Sequence, residues 1–273
     1  MSRTKSRVLV PITSSSPDRA EKLALALCEG YGADLYLINP HTVPDQTPLT
    51  IPEERMEQER EVSGEVLSIL LEDKPDVDVS GGVRVSHKLE SLVINATSEH
   101  NVDLIVLDTD TFSDESRLRR SKVRRIARKA TCDVVVISGP GNVDDLRTLL
   151  VPIADGPYSG LAIETASALL SARDVWIDAL HIVSPSASEE DIELAETLLQ
   201  DALDRFDRDR ADDWLLEAED VAETIIEESK QYSLTIMGTP DRNRLKRFFF
   251  GSTTDSVVAD STVPVIVTWR NQS

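Results

Sequence analysis

Gly238, Gly251 and Ser252 frame the part of this chain best suited to hold a ligand. An apolar run, Leu234-Thr-Ile-Met, ends at Gly238, and a polar, basic loop follows. Gly251-Ser252-Thr253 then opens a helical pattern that ends near Ala259. Glycine lets backbone N–H groups approach a ligand closely, and a helix N-terminus offers unpaired N–H donors with partial positive charge. Together these form a cradle for phosphate. Arg242, Arg244, Lys246 and Arg247 add positive charge beside it. Asp241 would face a polyphosphate with like charge, a repulsion of order 4 kcal/mol at ~4 Å and an effective dielectric of ~20. Asn243 tolerates a left-handed turn two residues later. Phe248-Phe249-Phe250 lead into Gly251; three consecutive aromatics cannot all face one core, so at least one borders a pocket or an interface.

The elements that must position this loop come in two similar sets. Arg7-Val-Leu-Val-Pro-Ile12 is echoed by Arg147-Thr-Leu-Leu-Val-Pro-Ile153, and Ala130 to Ile137 by Ser261 to Thr268. A Gly-Pro-Gly-Asn turn at 139–142 marks the junction, which divides the chain into domains at 1–141 and 142–273. In the first half the pattern predicts strands at 7–12, 33–38, 77–84, 103–108 and 132–138, and helices at 17–31, 53–72, 87–100 and 119–130. In the second half it predicts strands at 147–153, 174–183, about 213–217, 233–238 and 263–269, and helices at 158–172, 188–209, 219–231 and 253–260. Continuously apolar strands separated by amphipathic helices imply a parallel sheet covered on both faces. The fold class is therefore α/β: two tandem, doubly wound, five-stranded parallel-sheet domains. Ser188 to Asp191 has capping-box spacing ahead of an apolar stripe at Ile192, Ala195, Leu199, Ala202 and Phe206. Pro40, Pro44, Pro48 and Pro52 punctuate an exposed connection.

Composition narrows the function classes. The net charge of −20 opposes non-specific nucleic-acid binding. Arg outnumbers Lys 21 to 8, and Asp exceeds Glu 27 to 22. Acidic, lysine-poor chains of this kind resemble the proteins of halophiles. No run approaches the ~20 apolar residues of a membrane span, and no apolar stretch follows the basic N-terminus, so a cytoplasmic protein is expected. Cys28 and Cys132 lack metal-ligand spacing and are expected to pack inertly. His41, His87, His100 and His181 form no pair at metal spacing. Trp176, Trp214 and Trp269 are expected to fill core or interface.

The loop at Gly238, Gly251 and Ser252 resembles the nucleotide loop of the universal stress protein family, whose pattern is Gly, two residues, Gly, nine residues, Gly, Ser or Thr. Asp241 stands at the middle glycine. The resemblance covers essentially the whole chain as a tandem of two such domains, which share the adenine nucleotide alpha hydrolase-like architecture. Ala-Leu-His181-Ile-Val at the second strand and Ser-Leu-Thr-Ile-Met-Gly at the fourth carry it further. The family contains members that bind ATP and members that do not. For the second half the resemblance implies adenine nucleotide with Mg²⁺. Gly238, Gly251, Ser252 and Thr253 would contact the phosphates with Arg242 nearby, and the backbone at Ile182 would contact adenine. Ala154 falls at the family's Asp position, with Asp155 one residue later. In the first half Thr13 stands at that position, Asp108 replaces the first loop glycine and Arg120 the last, and Ser121 survives. A side chain at each former glycine should close that cradle. Val-Pro-Ile-Ala-Asp-Gly-Pro and Arg-Leu-Lys-Arg-Phe-Phe-Phe-Gly-Ser look most like the stress-protein domains that accompany membrane transporters.

Two other segments invite a function. Arg117, Arg119, Arg120, Lys122, Arg124, Arg125, Arg128 and Lys129 put eight basic residues within thirteen. This is a docking face for an acidic partner, an anion or anionic lipid, or a solvated helix face that offsets acidic surroundings. Residues 1–143 carry −5 and residues 144–273 carry −15, so the basic helix also suits the acidic half of a second chain. Ser14-Ser15-Ser16 serve as an anion site or an ordinary turn and cap. The leading reading is a non-enzymatic regulatory stress-response protein working through protein contacts, with a nucleotide in the second half. The halves would pair as an internal pseudo-dimer, with a homodimer of tandem chains as a further assembly. The alternative is a ligand-independent accessory subunit of a membrane transporter. An enzyme is disfavoured: neither His-x-Gly-His nor Ser-Gly-Gly-x-Asp-Ser is present, and spacing identifies no catalytic set.

Overall fold

A computed structural model describes residues 6–12, 14, 17–50, 52–72, 76–111, 116–154, 157–239 and 251–271, with side chains for these except at 111, 116–121 and 157. The chain divides into two compact units, Met1–Val136 with Asn271–Ser273, and Ile137–Arg270.

In the first unit strands and helices alternate: β1 (Arg7–Pro11), α1 (Arg19–Tyr31), β2 (Asp34–Thr42), α2 (Glu53–Leu70), β3 (Val79–Ser86), α3 (Leu89–Glu99), β4 (Leu104–Asp108), α4 (Ser116–Lys129) and β5 (Asp133–Ser138). The strand order is β3-β2-β1-β4-β5, and β1 pairs in parallel with both β2 and β4. Val8, Leu9, Val10 and Leu104 to Leu107 are wholly buried, as continuously apolar central strands require. Cys28 is buried on α1, and burial pushes its thiol well above the usual range.

The second unit repeats the plan with β6 (Thr148–Pro152), α5 (Gly160–Ala172), β7 (Trp176–Val183), α6 (Glu189–Leu203), β8 (Ala211–Glu217), α7 (Val221–Ser229), β9 (Leu234–Gly238), α8 (Ser252–Asp260) and β10 (Val265–Trp269). Its order is β10-β9-β6-β7-β8, again with parallel pairing. The direction of strand addition reverses between β1 and β4 in one unit and between β6 and β9 in the other. Such reversals open a crevice at the carboxyl ends of the strands.

The α/β class and the alternation of elements follow the sequence expectation, and two elements differ in extent. β2 runs on through Pro40 to Thr42, paired with β3, rather than ending at 38. The second helix of the second half, α6, stops at Leu203 rather than continuing to 209. Arg205 and Phe206 donate to Ala202 and Leu203 in tightened turns, Phe206 folds into the core, and the Asp207 side chain caps a separate 3₁₀ turn at Arg208–Arg210. Trp269 is core, but Trp176 and Trp214 lie 40% and 51% exposed. The Trp176 Nε1–H is satisfied at the surface by Asp178, at 2.8 Å. At α6 the expected capping box forms: Ser188 Oγ accepts from the Asp191 N–H at 3.2 Å, and Asp191 accepts from the Ser188 N–H at 2.9 Å. No described helix is long and apolar enough to cross a membrane.

Candidate functional site

A cavity of about 310 Å³ lies in the second unit at the β6/β9 reversal. Its floor comes from the carboxyl ends of β6, β7 and β9 (Ile153, Ile182, Met237, Gly238), one wall from Val221 and Ile225 of α7, and its rim from Gly251 to Thr254 at the start of α8. The described lining carries no carboxylate, so none there opposes the positive end of α8. The same N-terminus needs its glycine: Gly251 precedes Ser252 with φ +108°, a region that disfavours any side chain.

Gly238 has a different constraint. A Cβ at this position would lie 2.1 Å from the Tyr158 carbonyl oxygen. The strand end is therefore glycine so that the 3₁₀ turn Pro157–Ser159 can lie against it. That turn shapes the floor. Ser159 is buried, and its Oγ accepts from the Ala154 N–H at 2.8 Å. The Ala154 backbone donor is thus already engaged within the protein. His181 is also buried, and its Nδ1–H donates to the Ile153 carbonyl at 2.9 Å. Serine and histidine fasten the β6 exit from two sides and hold the cavity floor rigid. The rest of the lining is apolar apart from Tyr158, Ser252, Thr253 and Thr254. It suits a flat apolar ring inside and an anion at the α8 mouth.

The structure brings together Gly238, Gly251, Ser252, Thr253 and Ile182 from the sequence-predicted set. Asp155 and Arg242 lie outside the described residues, as do Thr13, Ser15, Ser16, Asp241, Asn243, Arg244, Lys246, Arg247 and Phe248–Phe250. Sequence reasoning missed Tyr158, Ser159, Val221 and Ile225. Ile225 was legible as part of an amphipathic stripe, but nothing local marks the face it turns to the cavity.

The first unit treats the corresponding strand end differently. Asp108, at the end of β4 where the second unit has Gly238, is buried and accepts two bonds from Arg19: Nε to Oδ2 and Nη2 to Oδ1, both 2.8 Å. Asp108 Oδ1 also accepts the Asp110 N–H at 2.8 Å, and Asp110 is a second partner for Arg19 at 3.2 Å. A bidentate ion pair within the protein stands at this strand end. Glu21, one turn into α1, is 1% exposed and accepts from the Asp18 N–H at 3.1 Å. Burial pushes its carboxyl up to about 7, with the Asp18 and Asp108 charges adding to the rise. On α4, Arg125 pairs with Glu90 at 3.3 Å, and Arg128 and Lys129 are exposed. Ser14 Oγ donates to Asp18 at 3.1 Å, as a turn would have it. No described group of His, Cys, Asp and Glu could hold a metal ion.

No curated protein matches the sequence. Three solved structures span almost the whole chain. A universal stress protein from Pseudomonas aeruginosa UCBPP-PA14 is 17% identical, with 98% of this chain and 94% of that one covered and a TM-score of 0.62. A protein of unknown function from P. aeruginosa PAO1 is also 17% identical, covering 98% and 93%, at TM-score 0.59. A universal stress protein from Archaeoglobus fulgidus DSM 4304 is 12% identical, covering 97% of each chain, at TM-score 0.58. At these identities the likeness is one of fold. The model of the universal stress protein family matches residues 5–138 and again residues 146–268. The chain therefore belongs to the universal stress protein family, as a tandem of two of its domains.

Proposed function

We propose that this protein is a non-enzymatic regulator that binds an adenine nucleotide in its second domain and acts through protein contacts. One observation carries the reading: the cavity at the β6/β9 reversal combines an apolar interior with the N-terminus of α8 at its rim. Its volume of about 310 Å³ is at the low end of small-molecule sites and suits a nucleoside, with phosphates directed toward Gly251 and Ser252. Adenine would lie in the apolar interior with its edge on the Ile182 backbone, with Arg242 and Mg²⁺ left to offset phosphate charge. The first domain would stay empty, because a ligand there would have to displace the Arg19–Asp108 pair.

The test is nucleotide content after denaturation of the purified protein, followed by calorimetric titration with ATP and Mg²⁺ in high salt. About one nucleotide per chain, lost on Gly251→Asp, is expected. A purified protein without nucleotide that gives no heat with ATP would sink the reading. The exposed Arg125, Arg128 and Lys129 on α4 favour a second reading, an accessory subunit docked on a transporter. Charge reversal at Arg125 and Arg128 that leaves partner binding unchanged would exclude α4 as the docking face.

A further inference from the structure

The first unit contains a second cavity, about 590 Å³, between α2 and the outer strands β2 and β3. Asn39 of β2 tethers the middle of α2, its Nδ2–H donating to the Glu59 carbonyl at 2.9 Å and to Ser63 Oγ at 3.2 Å, and the gap opens beside this tether. Of the 18 residues of α2 only Val66 and Leu70 are buried, both near its C-terminal end. No residue of β3 is fully buried. The equivalent helix of the second unit, α6, instead buries Ala195, Leu199, Ala202 and Leu203 along its length.

Glycine keeps both walls of the gap bare. Gly64 sits inside α2, where glycine is a poor helix former, and a Cβ there would meet nothing within 4 Å. Gly81 of β3 belongs to the same lining, and a Cβ there would lie 2.2 Å from the Leu37 carbonyl oxygen, so β2 and β3 come close only with glycine at this position. Around these positions Leu37, Met56, Leu67, Val79 and Val83 border the open volume. Apolar surface facing water in a concave site is stabilised by about 25 cal/mol per Å² when an apolar occupant covers it.

The rim supplies one cation. Two arginines lie on the lining, Arg60 and Arg84. The Arg84 guanidinium is held by Tyr36 Oη at 2.8 Å and by His100 Nε2 at 3.0 Å. Register pairs Tyr36 with Ser80 and Leu37 with Gly81, so Tyr36 and Arg84 share the sheet face opposite to the cavity. Arg60 has Glu57 as its partner among the described residues, at 3.4 Å, with both side chains well exposed. Such a pair is worth only ~0–1 kcal/mol and yields readily to a better-placed anion.

We propose that this cavity binds a medium-chain aliphatic carboxylate, with its alkyl chain between α2 and β2–β3 and its carboxylate on Arg60 in place of Glu57.

The test is calorimetric titration of the full-length protein with decanoate below its micellar range, with decanol as the head-group control. Saturable binding of one decanoate per chain is expected. Arg60→Gln should weaken it up to about fivefold, the worth of one exposed ion pair. Glu57→Gln should tighten it by removing the competitor. Gly64→Leu should abolish it by filling the gap, and thermal unfolding should show that variant as stable as the parent or more so. Gly251→Asp should leave decanoate binding intact, which separates this site from the nucleotide cavity. Absence of saturable binding, or equal binding by Gly64→Leu, would overturn the site. Equal affinity for decanol and decanoate, or no response to Arg60→Gln, would overturn the carboxylate assignment.

Discussion

Glu21→Gln tests whether the buried end of α1 is governed by desolvation. The Glu21 carboxyl is 1% exposed, and its pKa rises from the ordinary 4.5 to about 7, chiefly through burial. The folded state thus holds this proton more tightly than the unfolded chain does. The stability that follows is fully present below pH 4.5 and is lost as pH rises through 7. A shift of about 2.5 units corresponds to about 3 kcal/mol between those limits. Glutamine keeps an oxygen that can accept from the Asp18 N–H, so the helix start survives the substitution. The variant should match the parent near pH 4 and exceed it by up to about 3 kcal/mol at pH 8. Urea unfolding of both proteins at several pH values, in high salt to suppress long-range repulsion, reads the difference directly. A difference that is flat with pH would refute desolvation as the dominant cause. A variant less stable than the parent at pH 8 would mean that the ionised carboxylate is held by a favourable partner instead.

Arg19→Met should destabilise the first domain by about 3–5 kcal/mol, because it strands the buried Asp108 carboxylate. Adding Asp108→Leu should recover much of that loss, and chemical denaturation of the three variants reads the cycle. Gly238→Ala should cost about 1–3 kcal/mol by forcing apart β9 and the Tyr158–Ser159 turn, with the loss confined to the unfolding of the second domain. Cys28 should resist thiol reagents in the folded protein up to pH 9 and react at once in denaturant, since its thiol is buried and its pKa raised.

Much of the fold was readable from one sequence because its signals are local. Runs such as Val8-Leu-Val and Val134-Val-Val-Ile have the continuous apolarity of buried parallel strands, and the Ser188–Asp191 capping box announces α6. The misplaced end of α6 shows where locality fails. Phe206 fits the helical stripe, yet it reaches the core from a tightened turn, and periodicity does not distinguish these routes. Trp176 and Trp214 show the same limit: side-chain type favours burial, but position on a sheet face decides which tryptophan is core.

The candidate site divides along the same line. Residue types and spacing alone indicated two α/β repeats, the glycines at 238 and 251, and an altered first half, because turns, helix starts and strand ends are written in neighbouring residues. Only the tertiary structure decided that Gly238 answers to the Tyr158 carbonyl, that Ser159 engages the Ala154 amide, and that Asp108 is clasped by Arg19 from 89 residues away. It likewise decided that Gly64 of α2 and Gly81 of β3 line one cavity. These contacts join segments distant in the chain, and their distances are set by how helices lie on the sheet, which no local pattern encodes.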